Sequence, residues 1–462
     1  DQTRLGFMLP YTPLHLLLFE PAPNFTEVLV MTSGNLSEEP IAYENAEARE
    51  RLESLADGFL MHDRPIYMRI DDSVVTMLRE KPYIVRRARG FAPQQLRLPW
   101  DAVPLLATGT ELKNTFCLTR ERYAFVSHYI GDLENQETLS SFEQAIRHYE
   151  RVFRIQPKAL ACDLHPDYLA TRYAQARSQE DSLPLVAVQH HHAHIASCLA
   201  ENGWASPEPV IGLAYDGTGY GTDGSIWGGE ILIAGYKEFT RRFHLAPLPL
   251  PGGDLAVRKP ARMALSYLLA AGIDLEDQTL APVAYLTPAE AQAVRHQART
   301  GFNAPLTSSM GRLFDAVAAL MGLCEEISYE AQAAMMLESA VDPEETDFYE
   351  MPLENDIINP LPMIRAIVAD LKASVSLGSI AARFHNSLIR MSVEACRQIR
   401  KESGLRTVAI SGGVWQNMRL MNLILPALEA EGFTPLIHTQ LPPNDGCVSL
   451  GQAAVALARL QG

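Results

Sequence analysis

A chain of 462 residues, 47% apolar and 20% charged, has length for about three domains and far too much apolar content to be disordered. Its net charge of −16 argues against a nucleic-acid-coating surface, and without a run of about eighteen apolar residues no membrane-spanning helix is expected. The six cysteines are scattered, with no two closer than Cys162 and Cys198, so there is no CxxC zinc knuckle; with no apolar leader, a reduced, cytoplasmic protein is expected.

The chain opens on Asp1 rather than Met, which suggests an origin inside a longer protein. A β-rich run over 27–32 ends in the turn Thr32-Ser33-Gly34-Asn35, and 42–60 reads as an amphipathic helix. Strands are predicted at 74–78 and 83–86, and the prolines at 93, 99 and 104 suggest a domain boundary near residue 100. Beyond it come a short strand at 105–107, the turn Thr108-Gly109-Thr110, and strands at 115–119 and 123–127. A strand at 210–215, the glycine loop Asp216-Gly217-Thr218-Gly219-Tyr220-Gly221 and a returning strand at 225–236 repeat that pattern, which points to an internal duplication. Residues 260–400 read as mostly helical. A last βαβα run follows over 407–410, 414–429, 434–438 and 447–460.

Gln189-His190-His191-His192-Ala193-His194 follows the apolar strand 185–188 and opens an Ala-rich helix ending near Asn202. His190 and His194 are one turn apart, so they share a helix face and can hold one metal ion; His191 and His192 point elsewhere. A catalytic metal usually takes three protein ligands, and two aspartates on strand-end loops are candidates: Asp216, and Asp445 in Pro442-Pro443-Asn444-Asp445-Gly446. Each also fits an ordinary turn or N-cap role. Gly217, Thr218 and Gly219, and likewise Ser411-Gly412-Gly413 between a strand and a helix, have the character of phosphate-binding loops, although tight turns account for such glycines equally well. Basic clusters stand at Arg86-Arg87-Ala88-Arg89 and at Arg258, Lys259 and Arg262.

Taken in order, Met8 to Leu14, Met31 to Asn35, Arg86 to Gly90, Lys113 to Phe116, Gly131 to Asn135, Asp163 to Tyr168, Gln189 to His194, Asp216 to Gly221, Gly311 to Asp315 and Ser411 to Asn417 give the chain a resemblance to the HypF carbamoyltransferases of hydrogenase maturation. The resemblance implies an α/β protein: a partial YrdC-like domain over 1–100, then a Kae1-like domain over 104–462 with the duplicated actin/Hsp70/sugar-kinase (ASKHA) fold. Lobe one would be about 104–205 plus the C-terminal helix, and lobe two about 206–445 with a helical insertion at 260–400.

Carried over residue by residue, it implies a catalytic divalent transition metal, zinc or iron, on His190, His194, Asp216 and Asp445. It further implies ATP with Mg2+, its phosphates near Gly217, Thr218, Gly219, Gly412 and Gly413, with Asn417 among the cofactor-binding residues and Glu330 at the ribose, where an exposed helical glutamate is the alternative. Ser33, Asn35, Ser73 and Arg87 match nucleotide-contacting positions of the YrdC-like part. The implied reaction makes carbamoyl-adenylate from carbamoyl phosphate and ATP and passes the carbamoyl group to the C-terminal cysteine of HypE, toward the cyanide ligand of [NiFe]-hydrogenase. No nucleic-acid or membrane partner is expected. A threonylcarbamoyl-adenosine-type tRNA enzyme and a non-catalytic ASKHA-fold scaffold are the alternatives.

Overall fold

The computed structural model describes residues 4–20, 23, 25–36 and 39–460. The chain divides into two compact units, 1–69 and 70–462.

Among its described residues the smaller unit carries two helices, Pro13–Leu18 and Asn45–Leu52, and no strand. The expected strand at 27–32 is irregular chain, with Val28 and Val30 exposed. A β-rich run becomes a strand only where a neighbour takes its backbone hydrogen bonds, and among the described residues none is paired with it. The helix expected over 42–60 is limited to Asn45–Leu52, which buries no residue and so gains little from packing.

The larger unit opens with a two-stranded antiparallel hairpin, β1 (Val74–Leu78) and β2 (Lys81–Arg86). A four-stranded sheet follows, built from β3 (Leu96–Ala107), β4 (Cys117–Val126), β5 (Ala159–Asp163) and β6 (Leu185–Val188) in the order β4-β3-β5-β6. The strand β3 runs straight through residue 100, where the prolines had suggested a boundary. Pro99 and Pro104 are tolerated because the β3–β4 register slips on either side of Ala102, and among the described residues the outer half of β3 pairs with β4 alone.

The second sheet holds β7 (Val210–Tyr220), β8 (Ile226–Ala234), β9 (Phe239–Leu245), β10 (Leu248–Pro249), β11 (Leu306–Thr307), β12 (Leu353–Glu354), β13 (Ile357–Ile358), β14 (Thr407–Ser411) and β15 (Thr434–Leu436). Its main path is β12-β13-β9-β8-β7-β14-β15. In both sheets an antiparallel hairpin (β3–β4, β7–β8) is extended by two parallel strands (β5 and β6, β14 and β15). The duplication read from the sequence is thus a duplication of topology. The stretch 260–400 supplies the long helices Pro260–Ala270, Pro288–Thr300, Met310–Leu320, Leu361–Lys372 and Leu377–Ser403, which wrap the second sheet.

Two helices lie at the junction of the sheets. The histidine helix, His190–Glu201, is buried along its whole length. The last helix, Val448–Leu460, packs on the first sheet, with Val448, Leu450, Ala453 and Leu457 in one core with Leu105, Ala107 and Ala161. The two helices cross at Gly451, where a Cβ would stand 1.7 Å from the carbonyl oxygen of Ala193. A methyl group there cannot be accommodated by moving a side chain; backbone must shift. Gly451→Ala is therefore expected to destabilise the fold by about 1–3 kcal/mol or more, read as a lower denaturation midpoint, and to displace the histidine helix. Wild-type stability in that variant would show that the crossing is looser than described.

Candidate metal centre at the lobe junction

The histidine helix begins one residue after β6, and Gln189 fixes that start. Its side-chain oxygen accepts the N–H of His192, and its amide donates to the carbonyl of Tyr220. The first turn is thereby tied to the end of β7. Asp216-Gly217-Thr218-Gly219, expected as a tight loop, instead lies inside β7, at a slip in register between Tyr215 and Gly219. The reason is close approach. A Cβ on Gly219 would stand 2.4 Å from His191 Cε1 and 2.7 Å from His190 Cδ2, so the strand passes against the imidazoles only as glycine.

His190 and His194 turn the same ring atom to one point. Their Nε2 atoms lie 3.3 and 3.0 Å from the same oxygen, Asp216 Oδ2, and 3.6 and 3.5 Å from Asp445 Oδ1. Donor atoms from these four residues all fall within 4.8 Å of one another. Four ligands at the corners of a tetrahedron with bonds of about 2.1 Å are separated by about 3.4 Å. The contacts bracket that value, so the residues present fit a divalent transition-metal ion. His191 and His192 turn away: His191 Nδ1 faces the Gln189 amide, and His192 Nε2 contacts the carbonyl of Gly235.

Charge follows the geometry. Burial works against a proton on His190, but Asp445, Asp163 and Asp216 outweigh it and raise its pKa well above the ordinary value. His194 is raised likewise, against its burial, by Cys447, Asp216 and Asp445. Burial opposes the charge on Asp216 too, yet the two imidazoles hold its carboxyl well below the usual range. Burial pushes both His191 and His192 down, His192 to about 4; at His191 the charge of His190 adds to burial, and together they outweigh the pull of Asp216 and Asp445. The imidazoles that face the carboxylates are thus set apart from their neighbours in sequence.

The glycine loops have a role that the sequence did not reveal. The N–H groups of Gly217 and Gly413 both donate to Asp216 Oδ1, at 2.7 and 3.1 Å. That oxygen is pinned, and Oδ2 is left aimed at the histidines. Gly412 has φ +113°, and a Cβ there would meet the Tyr215 carbonyl oxygen at 2.1 Å, so only glycine lets β14 turn under Asp216. Thr218 is exposed beside this arrangement. Asn417 accepts the N–H of Leu420 as a helix N-cap and donates to His385 Nε2 at 3.0 Å.

The remaining expected nucleotide residues are engaged elsewhere. Arg87 is buried and gives its guanidinium hydrogens to the carbonyls of Val126, Ser127, Phe91 and Gln94, which leaves it structural rather than turned to a phosphate. Ser73 bridges the N–H of Ala88 and the carbonyl of Arg89. Ser33 and Asn35 lie in the smaller unit, in a bend where the Asn35 amide donates to the carbonyl of Leu36. Glu330 is exposed, and its carboxylate accepts from Lys113.

Beyond its place in the Asp163–Tyr168 motif, Asp163 carries no local signal of a role at the site. It ends β5, and its Oδ2 lies 3.0 Å from His190 Nδ1, which holds the imidazole with Nε2 toward Asp216. The loop carrying Asp445 is latched onto the β1–β2 hairpin, where Asn444 Nδ2 donates to the Val85 carbonyl at 3.0 Å, and the segment carrying Gly413 is latched there too, where Tyr83 donates to the carbonyl of Trp415.

His385, the partner of Asn417, donates Nδ1–H to the Ala381 carbonyl and accepts on Nε2, so both ring nitrogens are satisfied in the neutral form. Burial lowers its pKa from 6.5 to about 4. Below 6.5 the unfolded chain takes up a proton that the folded chain refuses, so stability is expected to fall as pH drops from 6.5 to about 4. Denaturant unfolding across that range should show a shallower fall in His385→Leu than in wild type. Equal slopes would mean that His385 does not contribute.

Three family models match the chain: Sua5/YciO/YrdC, "Telomere recombination", over residues 1–88; the "HypF Kae1-like domain" over 101–201; and the second subdomain of the carbamoyltransferase Kae1-like domain over 212–452. Carbamoyltransferase HypF of Rhodobacter capsulatus is 43% identical over 99% of this chain and 60% of its own length. That of Synechocystis sp. is 40% identical over 99% and 60%. A HypF homolog of Cupriavidus necator is 36% identical over 77% of this chain and 92% of its own. A crystal structure of full-length HypF in a phosphate- and nucleotide-bound form superposes with a TM-score of 0.91 at 43% identity, covering 99% of this chain and 71% of that one. HypF of T. kodakarensis gives 0.87 at 33%, covering 94% and 57%. The chain spans about three-fifths of the length of the first two relatives.

Proposed function

The chain belongs to the HypF carbamoyltransferase family, and from that premise we propose that it transfers a carbamoyl group from carbamoyl-adenylate to a thiol. The adenylate derives from carbamoyl phosphate and ATP with Mg2+, and the acceptor is the C-terminal cysteine of HypE, on the way to a hydrogenase cyanide ligand. The reaction belongs in the cytoplasm; among the described residues no helix is long and apolar enough to cross a membrane. The observation that carries the reading is the convergence of His190, His194, Asp216 and Asp445 beside two glycine-rich segments in a Kae1-like chain.

In the proposed step the acceptor sulfur attacks the carbamoyl carbon. A C–S bond forms, the C–O bond to the AMP phosphate breaks, AMP leaves with the bonding pair, and the thiol proton passes to solvent. His190, His194, Asp216 and Asp445 would hold a zinc or iron ion, which would supply Lewis acidity for the charge that develops on the carbamoyl and phosphate oxygens. The Asp216 and Asp445 carboxylates would offset its charge, and the N–H groups of Gly217 and Gly413 keep Asp216 in position. Gly219 and Gly412 allow the strands to pass close enough for this. Thr218, exposed on β7, and Asn417 are proposed to face the nucleotide. Glu330 is proposed at the ribose, which requires its pair with Lys113 to open. Ser33, Asn35 and Ser73 are proposed to serve a nucleotide in the YrdC-like part, where Arg87 acts by bracing backbone. A tRNA acceptor is disfavoured by the net charge of −16.

The test supplies carbamoyl-adenylate and HypE to the metal-loaded chain and follows the mass of the HypE cysteine peptide. Wild type is expected to add one carbamoyl group. His190→Ala and Asp445→Asn are expected to lose at least about a hundredfold in rate and the bound metal together, with the fold intact by circular dichroism. Transfer at the wild-type rate by metal-free His190→Ala would defeat the reading.

A further inference from the structure

Beyond the four proposed ligands lies a buried polar chain that the proposed reaction does not use. His194 Nδ1 is 3.0 Å from Ser411 Oγ, and Ser411 Oγ is 2.9 Å from His438 Nε2. His438 Nδ1 is 2.6 Å from Glu201 Oε2, and the other Glu201 oxygen accepts the backbone N–H groups of Thr439 and Gln440. All four side chains are buried. Such an arrangement is costly in isolation. Glu201 sits in the last turn of the histidine helix, where the helix dipole disfavours negative charge, and a buried His–Glu pair seldom repays its own desolvation.

We infer that Ser411, His438 and Glu201 form a positioning relay that holds His194 for metal ligation, an inference that rests on the metal site proposed above. A neutral imidazole has one N–H and one lone pair. If Nε2 gives its lone pair to an ion, the hydrogen must be on Nδ1, and a buried N–H needs an acceptor. Ser411 Oγ is the oxygen in reach. One of its lone pairs takes the His194 Nδ1–H, its own hydrogen goes to the lone pair of His438 Nε2, and the His438 Nδ1–H goes to Glu201 Oε2. Glu201 fixes the orientation of His438, so the oxygen cannot swing away. Cys447 Sγ, 3.4 Å from His194 Nδ1, is a weaker second acceptor.

The relay also joins the parts that build the site. Glu201 lies two turns beyond His194 on one helix, Ser411 ends β14, and His438 follows β15. The two ligand imidazoles are therefore secured from opposite sheets: His190 by Asp163 at the end of β5, His194 by Ser411 at the end of β14. An outer-shell partner of a ligand histidine typically contributes 10–100-fold to metal affinity.

The test is zinc affinity by chelator competition on the whole chain, with proton spectroscopy of the cobalt-substituted form. Ser411→Ala and His438→Phe are expected to weaken zinc binding about 10–100-fold, while Ser387→Ala, a buried serine of the Leu377–Ser403 helix, leaves it unchanged. Cobalt-loaded wild type is expected to show two hyperfine-shifted imidazole N–H signals that exchange slowly with D2O, and Ser411→Ala to lose the protection of one. Zinc affinity within twofold of wild type in both variants, with both N–H signals still protected, overturns the relay alone. Should Ser411→Ala not fold, the wild-type spectrum decides: a single protected N–H overturns the relay. Failure of wild type to take up zinc or cobalt overturns the metal site, and the relay with it.

Discussion

One carboxylate oxygen, Asp216 Oδ2, stands 3.3 Å from His190 Nε2 and 3.0 Å from His194 Nε2 in the buried junction between two sheets. Asp163, Asp216 and Asp445 meet two imidazoles there, so the cluster carries net negative charge even with both rings protonated. Buried charge is tolerated only when it is paired and fully hydrogen-bonded. Much of the local chain meets that condition. Gly217 and Gly413 satisfy Asp216 Oδ1, Asp163 and Ser411 satisfy the outer nitrogens of the two rings, and a divalent cation would supply the missing positive charge.

The duplicated topology explains how such a cluster is assembled. Each sheet contributes residues at the ends of parallel strands: Asp163 at the end of β5 and Ser411 at the end of β14. Asp216 lies on β7, the neighbour of β14, and the histidine helix starts just past β6. The last helix closes the junction at Gly451, directly against the first turn of the histidine helix. The β1–β2 hairpin then holds the loops that carry Gly413 and Asp445, through Tyr83 to Trp415 and through Asn444 to Val85. An element outside the duplicated core thus bears on the geometry of the centre.

Much of this was legible in the sequence because it rests on local rules. The i, i+4 histidine pair, the strand before it and the paired strand–glycine–strand patterns each carry their own periodicity or turn chemistry. The two aspartates were named from their loops, but their convergence could come only from resemblance or from structure, since Asp216 and Asp445 meet through tertiary packing. Glycines were the least readable. Gly219 and Gly412 look like phosphate cradles in sequence, yet in the fold each is glycine because a ring or a carbonyl passes within 3 Å of where its Cβ would stand. Arg87 shows the same limit, since an arginine cluster reads as an anion grip and nothing local signals that four backbone carbonyls will take its hydrogens. The strand expected at 27–32 failed for the opposite reason: β propensity was present, and a paired neighbour was not.

The central claim is that one divalent ion sits among these four side chains. Anomalous diffraction from crystals of the chain, collected above and below the zinc and iron absorption edges, tests it directly. The account predicts one strong peak with His190 Nε2, His194 Nε2 and oxygens of Asp216 and Asp445 about 2.0–2.2 Å away. A well-ordered map with no peak there after soaking in zinc or iron, or with the metal held by other residues, would contradict it.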